Sequence, residues 1–212
     1  MYPEDLVVAY SFLGNADDVS PNNRDGIVNG PTLTEDRKGR ANSAYYFNGR
    51  DNFIQLDQKN DFALTDKGCV MAWVKPEYTG DNVAILSNGT SNSPKKNCYN
   101  LVLNRYGNQW ELLAYIGGKQ VNKTPNPILH DYNQWYFIVY QWEKNGNVSL
   151  YTNGVLEFEQ KISGSTGGNN NTDLRIGHLS LNGYFKGVID ELIVSKRIFS
   201  ESEINKIYNS TK

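Results

Sequence analysis

The sequence predicts an all-β domain: two antiparallel sheets packed as a sandwich, closed by a short C-terminal helix. Three observations predict it. Short runs rich in β-branched and aromatic residues recur between Gly and Asn turn signals along the chain. No segment between them has helix-length periodicity, which excludes a parallel sheet built from βαβ units. One capped helical pattern stands alone near the end, after Ser200.

LVVAYSF (6–12) opens the series, and AYYF (44–47) and FIQL (53–56) follow as short strands. CVMAWVK (69–75) and VAILS (83–87) come next. YNLVLN (99–104) and QWELLAYI (109–116) form a pair across a Tyr106-Gly107-Asn108 turn. WYFIVYQWE (135–143), NVSLYTN (147–153) and VLEFEQ (155–160) are joined by Asn145-Gly146 and Asn153-Gly154. Asn-Gly is the strongest short hairpin signal, because both residues tolerate positive φ. DLRIG (173–177) and the run through GVIDELIVS (187–195) end the strands. Ser200 and Glu203 then make a capping box, with Phe199 and Ile204 as its hydrophobic staple. Ile204, Ile207 and Tyr208 give that helix one apolar face to lay on the sandwich. Long loops are expected at 13–43, 88–97, 117–134 and 161–172.

With 212 residues and no composition break, the chain reads as a single domain over 1–212. Its 21 basic and 23 acidic residues leave a net charge of −2 with no basic cluster, which argues against a nucleic-acid partner. No apolar run reaches the ~18 residues of a membrane span. Cys69 and Cys98 read as small buried hydrophobes, a disulfide being the alternative.

Asp190 and Glu191 interrupt the last apolar run. Strict alternation puts Asp190 with Val188 and Leu192 on one face, and Glu191 with Ile189 and Ile193 on the other. An unpaired buried carboxylate is costly, so Asp190 needs backbone N–H donors, a loop arginine or a cation. Glu191 reads as the partner of a Lys or Arg.

Several pieces, in order, carry a resemblance to a family. They are Tyr10-Ser11-Phe12 with Asp18-x-Ser20-x-Asn22 and Gly26; Phe47-Asn48-Gly49 with Asn52-Phe53-Ile54; and Ala72-Trp73-Val74-Lys75-Pro76. Trp135 through Val139 with Leu150-Tyr151 and Asn153-Gly154 follows, then Phe185-x-Gly187-x-Ile189-Asp190-Glu191-Leu192 and Ser200-x-x-Glu203-Ile204. Together they resemble the laminin-G-like, concanavalin A-like jelly roll, in the branch close to pentraxins that recurs in bacterial surface and polysaccharide-handling proteins. The resemblance implies a two-sheet antiparallel jelly-roll β-sandwich, an extracellular or cell-surface location and the company of other domains. It also implies one structural Ca²⁺, held by Asp18, the carbonyl of Gly49 and Asp190; hard oxygen ligands of this kind suit calcium.

Glucanases share the fold class, but their E-x-D-x-x-E spacing is absent, and adjacent acids on opposite faces do not make an acid–base pair. His130 and His178 have no nucleophile motif beside them. The expected function is a non-catalytic, lectin-like carbohydrate-binding module. A structural or protein-interaction domain is the alternative, and a polysaccharide hydrolase or lyase the third reading. Fourteen tyrosines, four tryptophans and 27 asparagines supply ring faces and amides for sugars. Trp73 and Trp135 are expected in the core, with Trp142 freer. The expected ligand residues are Tyr99, Tyr106, Trp110 and Tyr184 for stacking, and Asn97, His178 and Asn182 for hydroxyls.

Overall fold

The strand runs pair throughout in antiparallel register, in a computed structural model that describes residues 3–57, 62–77, 82–88, 99–106, 109–116, 119–121, 131–163, 173–179 and 183–212. Asn97, Cys98, His130 and Asn182 lie outside the described residues, as does the side chain of Tyr106.

One sheet takes β1 (Leu6–Tyr10), β3 (Thr32–Thr34), β4 (Ala44–Asn48), β6 (Lys67–Pro76), β11 (Tyr136–Glu143), β12 (Asn147–Thr152), β13 (Val155–Lys161) and β17 (Lys186–Ser195). Their order is β13-β12-β11-β6-β17-β4-β3, with β1 also on β17. The facing sheet takes β2 (Ile27–Asn29), β5 (Phe53–Leu56), β7 (Val83–Asn88), β8 (Tyr99–Tyr106), β9 (Gln109–Ile116), β10 (Lys119–Gln120) and β14 (Leu174–Ile176). Its order is β10-β9-β8-β7-β14-β5-β2. A hairpin of β15 (His178–Leu179) and β16 (Gly183–Tyr184) crosses the second sheet, and α1 (Glu201–Thr211) covers the first. The expected long loop at 13–43 holds β2 and β3, which are too short to show a period.

Alternation sorts the side chains. Val70, Ala72 and Val74 of β6 point between the sheets, while Cys69, Met71 and Trp73 point outward. The outward set is buried all the same, beneath Phe199, Ile204, Ile207 and Tyr208, which explains why this strand is apolar without interruption. Ser200 caps α1 with its side chain accepting from Glu203 N–H, and the reciprocal Glu203 bond completes the expected box. Cys69 is a free thiol in the outer cluster. Positive φ at Asn145, Asn153 and Gly154 marks the two expected Asn-Gly turns.

Alternation fails at one place. Between Asp190 and Ile193 the register of β17 against β6 slips by a residue, and Glu191 takes φ +45°. This bulge turns both acids to the helix side, correcting the expectation of opposite faces. Arg37, from the loop between β3 and β4, meets them both: Nη1 donates to Asp190 and Nη2 donates to Glu191 at 2.8 Å. Its Nε donates to the Thr211 carbonyl at 2.7 Å, and the guanidinium lies 4.7 Å from the Trp73 ring centroid. One arginine thus ties the central strand, a hairpin loop and the end of α1. It is the loop arginine that Asp190 required.

Candidate functional site

The outer face of the hairpin-covered sheet carries a polar row set by strand register. Ile27 pairs with Gln55, Gln55 with Arg175, Arg175 with Ser87, and Ser87 with Asn100. Each takes the parity opposite to the core residues Ile54, Leu56, Leu174, Ile176 and Leu101, so the row faces away from the sandwich interior.

The β15–β16 hairpin is anchored onto this face. Leu179 packs on Ala84, Val102 and Leu113, and the Ser87 hydroxyl donates to the His178 carbonyl at 2.6 Å. Gly177 makes the turn from β14 into β15 at φ +81°, and a Cβ there would stand 2.4 Å from the Phe47 ring. Only glycine serves at that point.

The anchoring brings four side chains together. His178 stacks on Tyr184 with ring centroids 4.3 Å apart, and Phe53 lies 5.6 Å from His178. The Arg175 guanidinium sits 5.3 Å from the Phe53 centroid, with Nη1 3.2 Å from His178 Nδ1. Arginine can only donate, so Nδ1 accepts and the ring proton is assigned to Nε2. Burial, and then the charge of Arg175, pull His178 down to about 4, so the ring is neutral near pH 7. Phe53, Tyr184 and Arg175 are half-buried, which leaves part of each to solvent.

Of the ligand residues expected from sequence, His178 and Tyr184 are brought into contact here. Tyr99 and Trp110 are not surface residues: both point between the sheets, 1% and 0% exposed. Tyr99 packs on Trp142, itself fully buried, and Trp110 on Tyr132. The correction has a simple cause: each aromatic shares parity with the aliphatic core residues of its own strand. Phe53 and Arg175 were missed, although their parity against Ile54 and Ile176 places them outside.

Asp18, Gly49 and Asp190 do not offer the expected calcium a fitting donor set. Oδ1 of Asp18 accepts from the Ala9 and Ser20 N–H groups, and Oδ2 from the Ser20 hydroxyl and the Arg24 N–H. Asp190 faces a guanidinium with its Oδ2, while Oδ1 is buried without a hydrogen-bond partner among the described residues. Burial pushes its carboxyl up to about 7, against the pull of Arg37. Gly49, at φ +75°, turns the chain between β4 and β5 with Lys186 packed over it. Among the described residues no three His, Cys, Asp or Glu side chains are spaced to hold a metal.

The concanavalin A-like lectin/glucanases superfamily matches residues 48–205. Among solved structures, domain 4 of AbnA, a GH43 extracellular arabinanase from Geobacillus stearothermophilus determined with arabinotriose, superposes at TM-score 0.74 and 21% identity. That match covers 96% of this chain and 98% of that one. The binding domain of Paraclostridial mosquitocidal protein 1 gives TM-score 0.75 at 15% identity, covering 98% of this chain and 52% of that one. The receptor-binding domain of botulinum neurotoxin mosaic serotype C/D, with tetraethylene glycol on its Hcn sub-domain, gives 0.71 at 15%, covering 100% and 52%. The chain spans about half the length of those two toxin domains. No curated protein sequence matches it. At these identities the likeness is one of fold.

Proposed function

The chain belongs to the concanavalin A-like lectin/glucanases superfamily, and from that footing we propose that it is a non-catalytic carbohydrate-binding module of an extracellular or surface protein. The observation that carries this reading is the surface of Tyr184, His178, Phe53 and Arg175, held on paired strands beside the Gln55 amide. Half-exposed ring faces suit the apolar C–H surface of a pyranose, and the flanking N–H donors suit its hydroxyls. The arabinanase domain of the same fold, solved with a sugar, supports the class of ligand. The Asp190–Glu191 pair of the last strand is engaged by Arg37, whose side chain is 4% exposed, while those of Asp190 and Glu191 are 0% and 30% exposed. Two acids joined to one arginine, with Asp190 shut off from solvent, favour binding over hydrolysis.

Calorimetric titration against plant, host and microbial polysaccharides tests the proposal. Affinity should lie between about micromolar and millimolar, since a half-exposed site of few side chains must offset the cost of ordering the sugar. Tyr184→Ala should weaken it about tenfold or more at unchanged melting temperature, by loss of the stacking face. Absence of heat across the whole panel would favour a protein-interaction domain instead. One feature suits that second reading: β13 is an edge strand exposing Val155 and Leu156 at 60% and 39%.

A further inference from the structure

We propose that this surface selects glycans bearing a carboxylate, as uronic and sialic acids do, and that Arg175 is the residue that selects them. The inference rests on the glycan-binding reading and adds to it the chemical class of the sugar.

Arg175 differs from the arginines that serve the fold. Arg37 donates to two carboxylates and a backbone carbonyl, and Arg40 donates to Asp36 at 2.6 Å. Those forks are closed by acids of the chain itself. Arg175 makes its hydrogen bond to a neutral imidazole, and its nearest acid, Asp173, stands 3.8 Å from Nη2, past direct hydrogen-bond reach. Its side chain is 35% exposed. Among the described residues its other N–H donors have no hydrogen-bond partner.

The guanidinium is also held in place. Its backbone lies in β14, paired on both sides by β5 and β7. Its plane is restrained by the Phe53 face on one hand and the His178 Nδ1 on the other. A pre-ordered planar fork loses little freedom on meeting a carboxylate, and it can donate to both oxygens at once. Tyr184, stacked on His178, stands beside it as a platform for the ring that bears the acid. A neutral sugar uses the platform without a charge-assisted bond to the fork; an acidic one uses both.

Matched pairs of ligands test this by calorimetry: trigalacturonate against its methyl ester, and sialyllactose against lactose. The first pair presents a uronate and the second a sialate, so the two sources are read separately. In the unaltered chain at least one acid should bind about tenfold more tightly than its neutral counterpart, with the advantage shrinking as salt rises. Arg175→Gln should remove the advantage, so that the acid and its neutral counterpart bind alike. Arg175→Lys, which keeps the charge without the fork, should lose most of it and serves where Arg175→Gln does not fold. Equal binding of acid and neutral forms, or discrimination that survives in both variants, overturns the selectivity and leaves the glycan reading standing. Silence toward all four sugars and the neutral polysaccharides overturns both.

Discussion

Arg37 shows how much one side chain can decide. Removing it leaves Asp190 and Glu191 without their cation and strips a face from Trp73. Arg37→Ala should therefore cost about 3 kcal/mol or more in urea unfolding, the range for breaking a buried ion pair. Arg37→Lys should restore only part, because an ammonium does not span two carboxylates and the Thr211 carbonyl together. Chelators should leave the melting temperature unchanged, since a guanidinium meets the carboxylate expected to hold calcium. A fall of several degrees would bring the cation back. Two of the perturbed groups, His178 and Asp190, give opposite slopes with pH. His178 has its folded value lowered to about 4 from 6.5, so the unfolded chain takes the proton first and stability falls as pH drops from 6.5 toward 4. Arg175, Phe53 and Tyr184 surround it and offer the imidazolium no counter-charge in contact. Asp190, raised to about 7 from 3.8 by burial, has Arg37, Glu191 and Asp36 around it; its contribution is full below 3.8 and is lost as pH rises through 7. Measured relative to the unaltered chain, stability should fall with rising pH in His178→Phe, which loses a rising contribution, and rise with pH in Asp190→Asn, which loses a falling one. The same sign in both would refute the assignment.

Strands were the legible level of this chain. QWELLAYI runs Gln109–Ile116 as expected and FIQL runs Phe53–Leu56, because each alternates cleanly between turn signals. β2, β3 and the β15–β16 hairpin were not legible: two or three residues show no period, and their pairing is imposed by neighbours distant in sequence. The candidate site depends on that hairpin, which is why only two of its members were expected. Parity places Trp110 with Leu112, Ala114 and Ile116 in the core, a signal that aromatic abundance does not carry. Trp110→Ala should accordingly cost about 3–5 kcal/mol, and any loss of sugar binding should track loss of folding. Ser200→Ala should cost about 1 kcal/mol through the cap. Ending the chain before α1 should bare Trp73 and Phe137, read as new binding of a hydrophobic dye. The bulge at Asp190 had no local signal, because two acids side by side are as common on a rim as on one face, and Arg37 stands 153 residues away from Asp190 in sequence.

For the molecule as a whole, the order of motifs identified the family, while the site had to wait for the third dimension. Six short pieces in sequence follow from a sandwich whose strands must alternate and turn in a set order. The polar row, by contrast, draws on β2, β5, β14, β7 and β8, whose adjacency follows from crossovers. The same crossovers set the timetable of biosynthesis. β17 lies at the heart of its sheet, with β6 along one edge and β4 and β1 sharing the other, yet it is the last strand of the sequence. A ribosome making about 5–20 residues per second exposes β1 many seconds before its partner exists. Until residue 195 clears the exit tunnel, the nascent chain holds two sheet fragments with a missing middle and open edges on either side of the gap. Folding of this domain is therefore completed only when the final strand emerges and closes those edges.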